Sequence, residues 1–295
     1  MDESVNAVIV TYNPDLDVLN ANIASVLSQT DSVFIVDNGS SSVNWDDIRL
    51  DGKIQIVRLE ENFGIGYAQN IGMKLSVSKK AEWTVILDQD TVLPANYVTD
   101  VLDRISGLPD VGIASGRFID RNQNDFEMLN CPSDVEVVND IIASGNIVKN
   151  DAWSIVGGFN EELFIDYVDF EFDYRLISKG FKIYLINAVT FDHAIGDSVK
   201  NTPLMSFLLL KGRYIFDHSP MRMYYMNRNR LVVRSKYPEY GSPINMLIRE
   251  ILNLREILLF NSPRTQKIYW AVRGILSGTR YMITGKLKDE FRKKI

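Results

Sequence analysis

The sequence predicts an α/β fold in which helices cover both faces of a mixed, mainly parallel sheet, with a helical extension at the C-terminus. Three observations predict this class. Short apolar runs recur through the first 90 residues, and segments with helical spacing separate them. Strands that alternate with helices of about 10–15 residues are typical of a parallel sheet. After about residue 200 the strand-like runs vanish, and amphipathic helical segments follow.

The first half of the chain supplies most of the sheet. Its apolar runs predict four strands, and two of the intervening segments carry helical spacing. Pro94 is expected to be the first residue of a further helix, because proline suits the first helical position. The predicted strands are Val5 to Val10, Val33 to Val36, Ile54 to Val57 and Trp83 to Leu87, and the predicted helices are Leu16 to Leu27 and Gly64 to Val77.

The second half is less regular. We expect two domains in total, a sheet domain over residues 1–200 and a basic helical extension over residues 201–295. The strands predicted here are Val111 to Ala114, Glu136 to Val148 and Phe181 to Ile186, an acidic helix is expected within Trp153 to Gly180, and amphipathic helices are predicted over Ile244 to Phe260 and Lys267 to Ile283.

Composition limits the class of protein. The 295 residues are 46% apolar and 24% charged, which is an ordinary globular balance. The sequence has no run of 18 apolar residues and no visible secretory signal, so we expect no transmembrane helix. The single cysteine, Cys131, excludes an internal disulfide and fits a reducing compartment such as the cytoplasm.

Charge is divided unevenly along the chain. Residues 1–199 carry 13 Lys and Arg against 32 Asp and Glu, whereas residues 200–295 carry 19 against 6. A basic tail of this kind indicates an anionic partner surface. We expect an anionic membrane and no nucleic acid, because the sheet half is strongly acidic. The alternative is that the tail helices pack on the sheet domain or on a second subunit of a homodimer.

Asp88-Gln89-Asp90 directly follows the fourth predicted strand. Ligands of open α/β sheets bind beyond the carboxyl ends of the strands. Two carboxylates at a rigid strand end can chelate Mg²⁺ or Mn²⁺, and such ions commonly bridge to substrate phosphates. The alternative is a solvated turn, but the apolar residues on both sides of the segment favour a metal site.

A second acidic group lies within residues 164–175. Asp166, Asp169 and Asp173 have the spacing i, i+3, i+7, which places them on one face if the segment is helical. Clustered carboxylates raise at least one pKa, as a general base requires. We expect Asp169 to be the base. Glu171 and Asp173 fit equally well an acidic helix start with Arg175 as the ion-pair partner.

Two further motifs follow predicted strands. His193 would complete a metal site with the two aspartates, although a single histidine is more often a structural hydrogen-bonding residue. Asn62 to Asn70 contains Gly64 and Gly66, which form half of a dinucleotide fingerprint. Such a stretch is typical of a loop that enters a helix beside a nucleotide.

In this order the motifs resemble those of the family-2 glycosyltransferases with the GT-A fold. The resemblance covers roughly residues 5–196, and the combination of motifs is highly specific. Residues 164–175, 191–193 and 224–229 look most like the bacterial rhamnosyltransferases. The motifs are Val8 to Asn13, Val36 to Ser40, Asn62 to Asn70, Asp88 to Asp90, Ser144-Gly145, Gly157 to Glu161, the acidic segment and His193.

The resemblance implies roles for individual residues. Asp169 would be the catalytic base, and Asp166 and Arg228 are candidates for contacts with the acceptor. The family pattern Glu-Asp-x-Asp reads Val168-Asp169-Phe170-Glu171 here, which puts the acceptor-side contacts in doubt. The residues implied to bind the nucleotide-sugar are Thr11, Tyr12, Asn13, Asp37, Asn62, Gly66, Asn70, Asp88 and Gln89, and those implied to bind Mn²⁺ or Mg²⁺ are Asp88, Asp90 and His193.

The implied reaction is inverting transfer of a sugar, rhamnose from dTDP-rhamnose, onto a saccharide or lipid-linked saccharide of a cell-surface polysaccharide. The same resemblance implies a location at the inner face of the cell membrane. Alternatives are another UDP- or dTDP-sugar (galactofuranose, glucose or galactose), a sugar nucleotidyltransferase, and a non-catalytic sugar-binding module. The first predicted strand ends without the nearby Lys or Arg of a nucleotidyltransferase, and the intact acidic motifs argue against a binding module.

Overall fold

The computed structural model describes residues 3–45, 48, 51–120, 133–193, 198–199, 215–216, 218–260 and 262–288; Cys131 lies outside these ranges. The chain divides into two compact units. Residues 1–161 and 168–195 form the first, which we call the sheet unit. Residues 162–167 and 196–295 form the second, which we call the helical unit.

Among the described residues, the sheet unit contains eight strands and five α-helices. These are β1 (Val5–Thr11), α1 (Leu16–Leu27), β2 (Ser32–Asp37), β3 (Ile54–Arg58), α2 (Ile65–Ser78), β4 (Trp83–Asp88), α3 (Tyr97–Ile105), β5 (Val111–Asp120), β6 (Val135–Val138), β7 (Asn146–Lys149), α4 (Asn150–Val156), α5 (Val168–Ser178) and β8 (Lys182–His193). The helical unit contains β9 (Ser198–Val199), β10 (Ile215–Phe216), α6 (Pro220–Lys236), α7 (Pro243–Phe260) and α8 (Arg264–Thr284).

The strands of the sheet unit form one sheet in the order β3-β2-β1-β4-β7-β5-β8-β6. The first four strands of this order are mutually parallel, as are β5 and β8. β7 is antiparallel to both of its neighbours, and β6 is antiparallel to β8. The carboxyl ends of β1 to β5 and β8 therefore meet the amino end of β7 along one border, which we call the carboxyl edge. The predicted mixed, mainly parallel sheet is confirmed.

The sheet core explains why the strands appear in the sequence as continuous apolar runs. Ala7, Val8 and Ile9 of β1 are fully buried, because helices cover both faces of the central strands. Helix α2 packs directly on this strand. A Cβ atom at Gly72 would lie 2.3 Å from Val8 Cγ1, so only glycine allows this approach.

Two predicted elements differ from the structure in the middle of the chain. Helix α3 begins at Tyr97 rather than Pro94, because Asn96 has a left-handed φ of 65° and the helix starts only after it. The single strand predicted over residues 136–148 is two strands, β6 and β7, which lie at different places in the sheet. Gly145, with a φ of 89°, turns the chain into β7.

The predicted acidic helix is also divided. Gly157 and Gly158 both have positive φ and end α4, and further positive φ values occur at Phe164, Asp166 and Tyr167. Helix α5 therefore begins only at Val168, and Asp166 does not share a helical face with Asp169 and Asp173. Strand β8 is longer than predicted, because its second half continues the pairing with β5 past an irregularity in register.

The helical unit is held by close helix contacts. A Cβ atom at Gly274 of α8 would lie 2.3 Å from Tyr224 O, and one at Gly278 would lie 2.8 Å from Leu231 Cβ. Two glycines four residues apart on one helix thus let α8 and α6 approach closely. The short strands β9 and β10 pair antiparallel, although no strand was expected after residue 200. Among the described residues, no helix is both long and apolar enough to cross a bilayer.

Candidate active site

Asp37, the last residue of β2, lies at the carboxyl edge and is almost fully buried. Its Oδ1 accepts hydrogen bonds from Thr11 Oγ1 at 3.4 Å, from Ser40 N at 3.3 Å and from the Ser40 hydroxyl. Gly39 allows the turn between them, because its φ is 81° and a Cβ would lie 2.4 Å from the carbonyl carbon of Glu61. The carboxylate is therefore oriented by neutral donors.

The residues after β1 join this cluster to the end of β4. Tyr12 N donates to Gln89 Oε1 at 2.8 Å, and Asn13 N donates to Ser40 Oγ at 2.7 Å. Asn13 Oδ1 accepts in turn from Ser41 N at 3.0 Å. The amide groups of Gln89 and Asn13 thus fix the loop, while the Tyr12 side chain remains 47% exposed and can reach a ligand.

The loop before α2 is fixed to the end of β2 by two asparagines. Asn38 Nδ2 donates to Asn62 Oδ1 at 3.0 Å, and Phe63 N donates to Asn38 Oδ1 at 2.9 Å. Asn62 Oδ1 also accepts from Gly64 N at 2.9 Å. Asn62 therefore shapes the loop at the carboxyl edge. Its side-chain oxygen already accepts two hydrogen bonds from within the protein.

Asn70 is a buried structural residue. Its Nδ2 donates to Phe159 O at 2.9 Å and to Glu161 Oε1 at 2.8 Å, and its Oδ1 accepts from Phe159 N at 2.7 Å and from Trp153 Nε1 at 3.3 Å. These four bonds use the hydrogen-bonding capacity of the amide. Any effect of Asn70 on a nucleotide must therefore act through the position of residues 153–161.

Close packing at Gly66 positions the start of α5, which carries the candidate base, at the carboxyl edge. A Cβ at Gly66 would lie 3.1 Å from Asn160 O and 3.1 Å from Val168 Cγ1. Helix α2 follows the carboxyl end of β3, so this contact brings the start of α5 to the same edge. Asp169 lies in the first turn of α5 and is half-buried. Its carboxylate is favoured there by the positive end of the helix dipole.

The backbone of Asp88 is held from both sides at the end of β4. Asp88 N donates to Ser144 Oγ at 3.0 Å, and Asn22 Nδ2 donates to Asp88 O at 2.6 Å. Ser144 Oγ lies 2.7 Å from Thr91 Oγ1, so one hydroxyl joins both ends of the turn. Asp88 is half-buried and Asp90 is exposed, so the turn presents carboxylates at the carboxyl edge.

Ser40 and Ser144 lie in motifs of the family resemblance but had no predicted role, and Asn22 was not predicted as a site residue at all. Asn22 had a detectable signal, because it lies among Leu19, Ile23 and Val26 on the buried stripe of α1. A polar residue at a core position needs a partner, and here the partner is the Asp88 carbonyl. For the two serines the only signal in the sequence is their place in those motifs.

His193 is the last residue of β8, so its backbone lies at the carboxyl edge. A single antiparallel bridge between Val92 and Asp192 places it beside the turn after β4. The side chain of His193 lies outside the described residues. Among the side chains that the structure describes, no three His, Cys, Asp or Glu form a metal-binding group. Asp88 and Asp90 still fit Mg²⁺ or Mn²⁺, because such ions often take one or two carboxylates and complete their shell with phosphate and water.

Asp173 does not match the acidic helix start paired with Arg175 that was the alternative for it. It is buried, and its Oδ2 accepts from Ile141 N at 2.8 Å. Burial raises the pKa of Asp173 well above its ordinary value, and the nearby carboxylates of Asp169 and Asp140 raise it further, while the Ile141 N–H lowers it. Asp173 thus fixes α5 to the segment that leads into Ser144.

Glu171 forms the ion pair with Arg175 that was the alternative to a catalytic role. Its Oε2 accepts from Arg175 Nη2 at 2.8 Å across one helical turn, and the Glu171 side chain is almost fully buried. Arg175 Nη1 also donates to Val156 O at 2.8 Å. The ion pair therefore holds α5 in place.

The two residues proposed for the acceptor lie in the helical unit. Arg228 is completely buried, and its Nη2 donates to Glu162 O at 2.8 Å and to Leu163 O at 3.1 Å. This burial and these carbonyl contacts argue against the predicted contact of Arg228 with the acceptor or diphosphate. Asp166 pairs with Arg222 at 3.1 Å. Burial raises the pKa of Asp166, and the positive charge of Arg222 lowers it in part.

Comparison with known proteins identifies relatives of the whole chain. The family model described as glycosyl transferase family 2 matches residues 6–149. The chain is 32% identical over 310 aligned residues to the dTDP-rhamnosyl transferase RfbF of Shigella flexneri, which covers 95% of this chain and 99% of that protein. The similarity therefore includes the helical unit as well as the sheet unit.

Two solved structures share the fold at low identity. A mannosyltransferase of Pyrobaculum calidifontis, solved with GDP-Man and Mn²⁺, aligns with a TM-score of 0.57 at 14% identity over 96% of this chain and 87% of that one. GalNAc-T7, solved with UDP, GalNAc and Mn²⁺, aligns with a TM-score of 0.55 at 15% identity over 65% of this chain and 44% of that one. With these relatives, the chain belongs to the family-2 glycosyltransferases and is a nucleotide-sugar glycosyltransferase of the GT-A fold.

Proposed function

We propose that the chain is an inverting, metal-dependent rhamnosyltransferase that uses dTDP-rhamnose as the donor. One observation carries the choice of donor, namely the similarity to a dTDP-rhamnosyl transferase over nearly the full length of both chains. The acceptor in this proposal is a hydroxyl group of a saccharide or lipid-linked saccharide. The enzyme would work at the inner face of the cell membrane.

The donor lies along the carboxyl edge in this proposal. Asp37 accepts from the pyrimidine N–H, and neutral partners hold its carboxylate in position for that bond. Tyr12, with its exposed ring, packs on the base. Thr11 and Asn13 support these contacts through Asp37 and the loop after β1, and Gln89 fixes the same loop at the Tyr12 amide.

Asp88, Asp90 and His193 are the proposed metal ligands. A Mn²⁺ or Mg²⁺ ion bound there would neutralise the charge that develops on the departing diphosphate. The need for such an ion follows from the charge of the site, because the carboxyl edge presents aspartates to a donor that is itself negatively charged. The half-buried position of Asp88 and the exposed position of Asp90 leave both carboxylates accessible from this edge.

Asp169 is the proposed general base. It removes the proton from the acceptor hydroxyl as the acceptor oxygen forms a bond to the anomeric carbon. The bond from that carbon to the diphosphate oxygen breaks in the same displacement, and the electron pair leaves with the diphosphate. A single displacement inverts the configuration of the sugar and requires no nucleophile on the enzyme.

Calorimetric titration with candidate donors tests this function. We expect dTDP-rhamnose to bind in the presence of Mn²⁺ more tightly than UDP-glucose, UDP-galactose, UDP-galactofuranose or GDP-mannose. If one of the UDP-sugars bound more tightly, that UDP-sugar would become the proposed donor in place of dTDP-rhamnose. Failure of every nucleotide-sugar to bind would contradict the proposed site.

The substitution Asp90→Asn tests the metal ligand in the same experiment. We expect it to remove the part of the donor affinity that depends on Mn²⁺, because an amide binds a divalent cation less well than a carboxylate does. Asp103→Asn, at an exposed position of α3, is the matched control and should leave the affinity unchanged. An unaltered Mn²⁺ dependence in Asp90→Asn would remove this residue from the metal site.

A further inference from the structure

Helix α7 buries one charged side chain and exposes several large aliphatic ones. Glu250 is almost fully buried and pairs with Arg230 of α6 at 3.1 Å. The side of α7 away from this pair is aliphatic, and its large side chains are between 43% and 63% exposed. These outward residues are Ile244, Ile248, Ile251, Leu252, Leu258 and Leu259.

The apolar surface continues from α7 onto α8. Tyr269, Leu276 and Ile283 are exposed there, and Ile283 has the largest exposed fraction of the three. A groove of about 520 Å³ joins the end of α7 to the start of α8, and its lining includes Leu258, Tyr269 and Val272. We call this combined surface of α7 and α8 the aliphatic face. Contiguous exposed apolar surfaces often mark interaction sites.

The charge around the aliphatic face is positive. Residues 243–288 contain eight Lys and Arg but only two Asp and Glu, which are Glu250 and Glu256. Glu250 is neutralised inside the unit by Arg230, and Glu256 is half-buried. The exposed arginines of these two helices are Arg249, Arg255, Arg264 and Arg280, and Arg264 and Arg273 line the groove.

This charge distinguishes between two possible occupants. A two-fold contact between copies of the chain would bring the same face against itself, and with it arginines against arginines. Like charges that face each other oppose such a contact. An anionic bilayer instead offers acyl chains for the isoleucines and leucines, and negatively charged headgroups for the arginines.

We propose that the aliphatic face is a docking surface for an anionic lipid bilayer. Helices α7 and α8 lie in the plane of the interface, with Ile248 and Leu252 inserted at the level where the acyl chains begin. The arginines extend to the phosphate groups of the lipids, and their aliphatic stems cover the margin of the inserted surface. This consequence rests on the proposed function: the surface brings the enzyme to acceptors that are carried in the membrane.

Sedimentation of the full chain with lipid vesicles tests this inference. We expect binding to vesicles of phosphatidylcholine with phosphatidylglycerol, and little binding to phosphatidylcholine alone. The double substitution Ile248→Glu with Leu252→Glu should lower the vesicle partition coefficient on the order of 10-fold or more, because two inserted side chains become charged. Both positions are more than half exposed, so the fold does not depend on them.

The matched control is Val137→Glu with Ile155→Glu, two similarly exposed positions of the sheet unit. This control should bind vesicles like the wild type. Equal sedimentation of the wild type with and without anionic lipid would overturn the inference, as would unchanged binding of the Ile248 and Leu252 variant. Sedimentation velocity adds a third outcome: a wild-type dimer that this variant converts to monomer, without vesicle binding, would assign the face to a second copy.

The vesicle experiment uses neither donor nor acceptor. A failure of lipid binding would remove the proposed membrane location but leave the proposed transfer reaction standing, and a failure of donor binding in calorimetry leaves the membrane surface standing. The two proposals can be tested and rejected separately.

Discussion

The carboxyl edge of the sheet and the core of the helical unit hold buried carboxylates in different ways. At the carboxyl edge, Asp37 accepts only from neutral donors in the contacts described above, those of Thr11 and Ser40. In the helical unit, Asp166 pairs with Arg222, and Glu250 pairs with Arg230. The protein therefore supplies positive partners to the carboxylates of the second region, and neutral hydrogen-bond donors to Asp37 in the first.

This difference separates function from stability. A carboxylate oriented by neutral groups keeps its charge for an incoming base or cation, whereas a carboxylate paired with arginine is committed to the fold. Breaking a buried ion pair leaves an uncompensated charge inside the protein and is costly. Substitutions at the carboxyl edge should thus change binding and turnover, and substitutions in the helical core should change the free energy of unfolding.

The largest effect is expected for Asp169→Asn. An amide cannot accept the acceptor proton, so the turnover number should fall about 10²–10⁴-fold. The donor affinity measured by calorimetry should not change, because Asp169 contacts neither the nucleotide nor the metal in the proposed site. Steady-state kinetics with a saturating donor would measure the loss.

Asp151→Asn is the matched control for this substitution. Asp151 is also an acidic residue in the first turn of a helix of the sheet unit, but it is exposed. Its turnover should equal that of the wild type. Retained turnover in Asp169→Asn would show that another group removes the proton.

Glu250→Ala tests the contribution of a buried ion pair to the stability of the helical unit. It leaves Arg230 without its buried partner, and we expect a loss of about 3 kcal/mol in the free energy of unfolding. This value is at the low end for a buried pair, because a quarter of the Arg230 side chain is exposed. Urea unfolding measures the change, and the donor affinity of the folded variant should stay the same.

Glu239→Ala removes an exposed glutamate of the same unit and should change the stability little. If Glu250→Ala and Glu239→Ala had the same effect, the buried pair would contribute nothing to the fold. If Glu250→Ala lowered donor affinity without a loss of stability, the separation of roles between the two regions would be wrong.

The smallest effect concerns the pH dependence of stability through Asp173. Burial raises its folded pKa above the ordinary value of 3.8, so the native state holds the proton more tightly than the unfolded chain does. The contribution of Asp173 to stability is therefore present below that ordinary value and is lost as the pH rises toward the folded pKa. Above the folded pKa the contribution no longer changes.

Asp173→Asn has no proton to lose. The unfolding free energy of this variant relative to the wild type should rise with pH by up to about 1.4 kcal/mol per pH unit within this window. Urea unfolding over a pH series measures the difference. A difference that stays constant with pH would show that Asp173 titrates alike in both states, contrary to its burial.

The first four strands and their helices could be predicted from the sequence because each is specified locally. A strand buried on both faces is a short apolar run, and the motifs lie where those runs end. The segment Asp88 to Asp90 was placed at the carboxyl edge for this reason. The helix over Leu16 to Leu27 was also predicted with the bounds that the structure has.

The rest of the site depends on contacts between distant parts of the chain. Ser144 meets Asp88 because β7 inserts antiparallel beside β4, and no local pattern specifies that pairing. Asp166 seemed to share a face with Asp169, but three positive φ values before Val168 end the helical periodicity. Arg228 was a candidate for contact with the acceptor, but it is buried and contacts backbone carbonyls more than 60 residues away in the sequence.

Residues 162–167 interrupt the sheet unit in sequence but belong to the helical unit. Arg228 and Asn229 of α6 bind the carbonyls of this short segment, and the chain passes from it directly into α5. A premature stop codon anywhere between residues 196 and 227 would keep every strand of the main sheet. It would nevertheless remove the donors that hold the segment before Asp169. Truncated alleles of this gene should therefore be inactive even when the nucleotide-binding motifs are all translated.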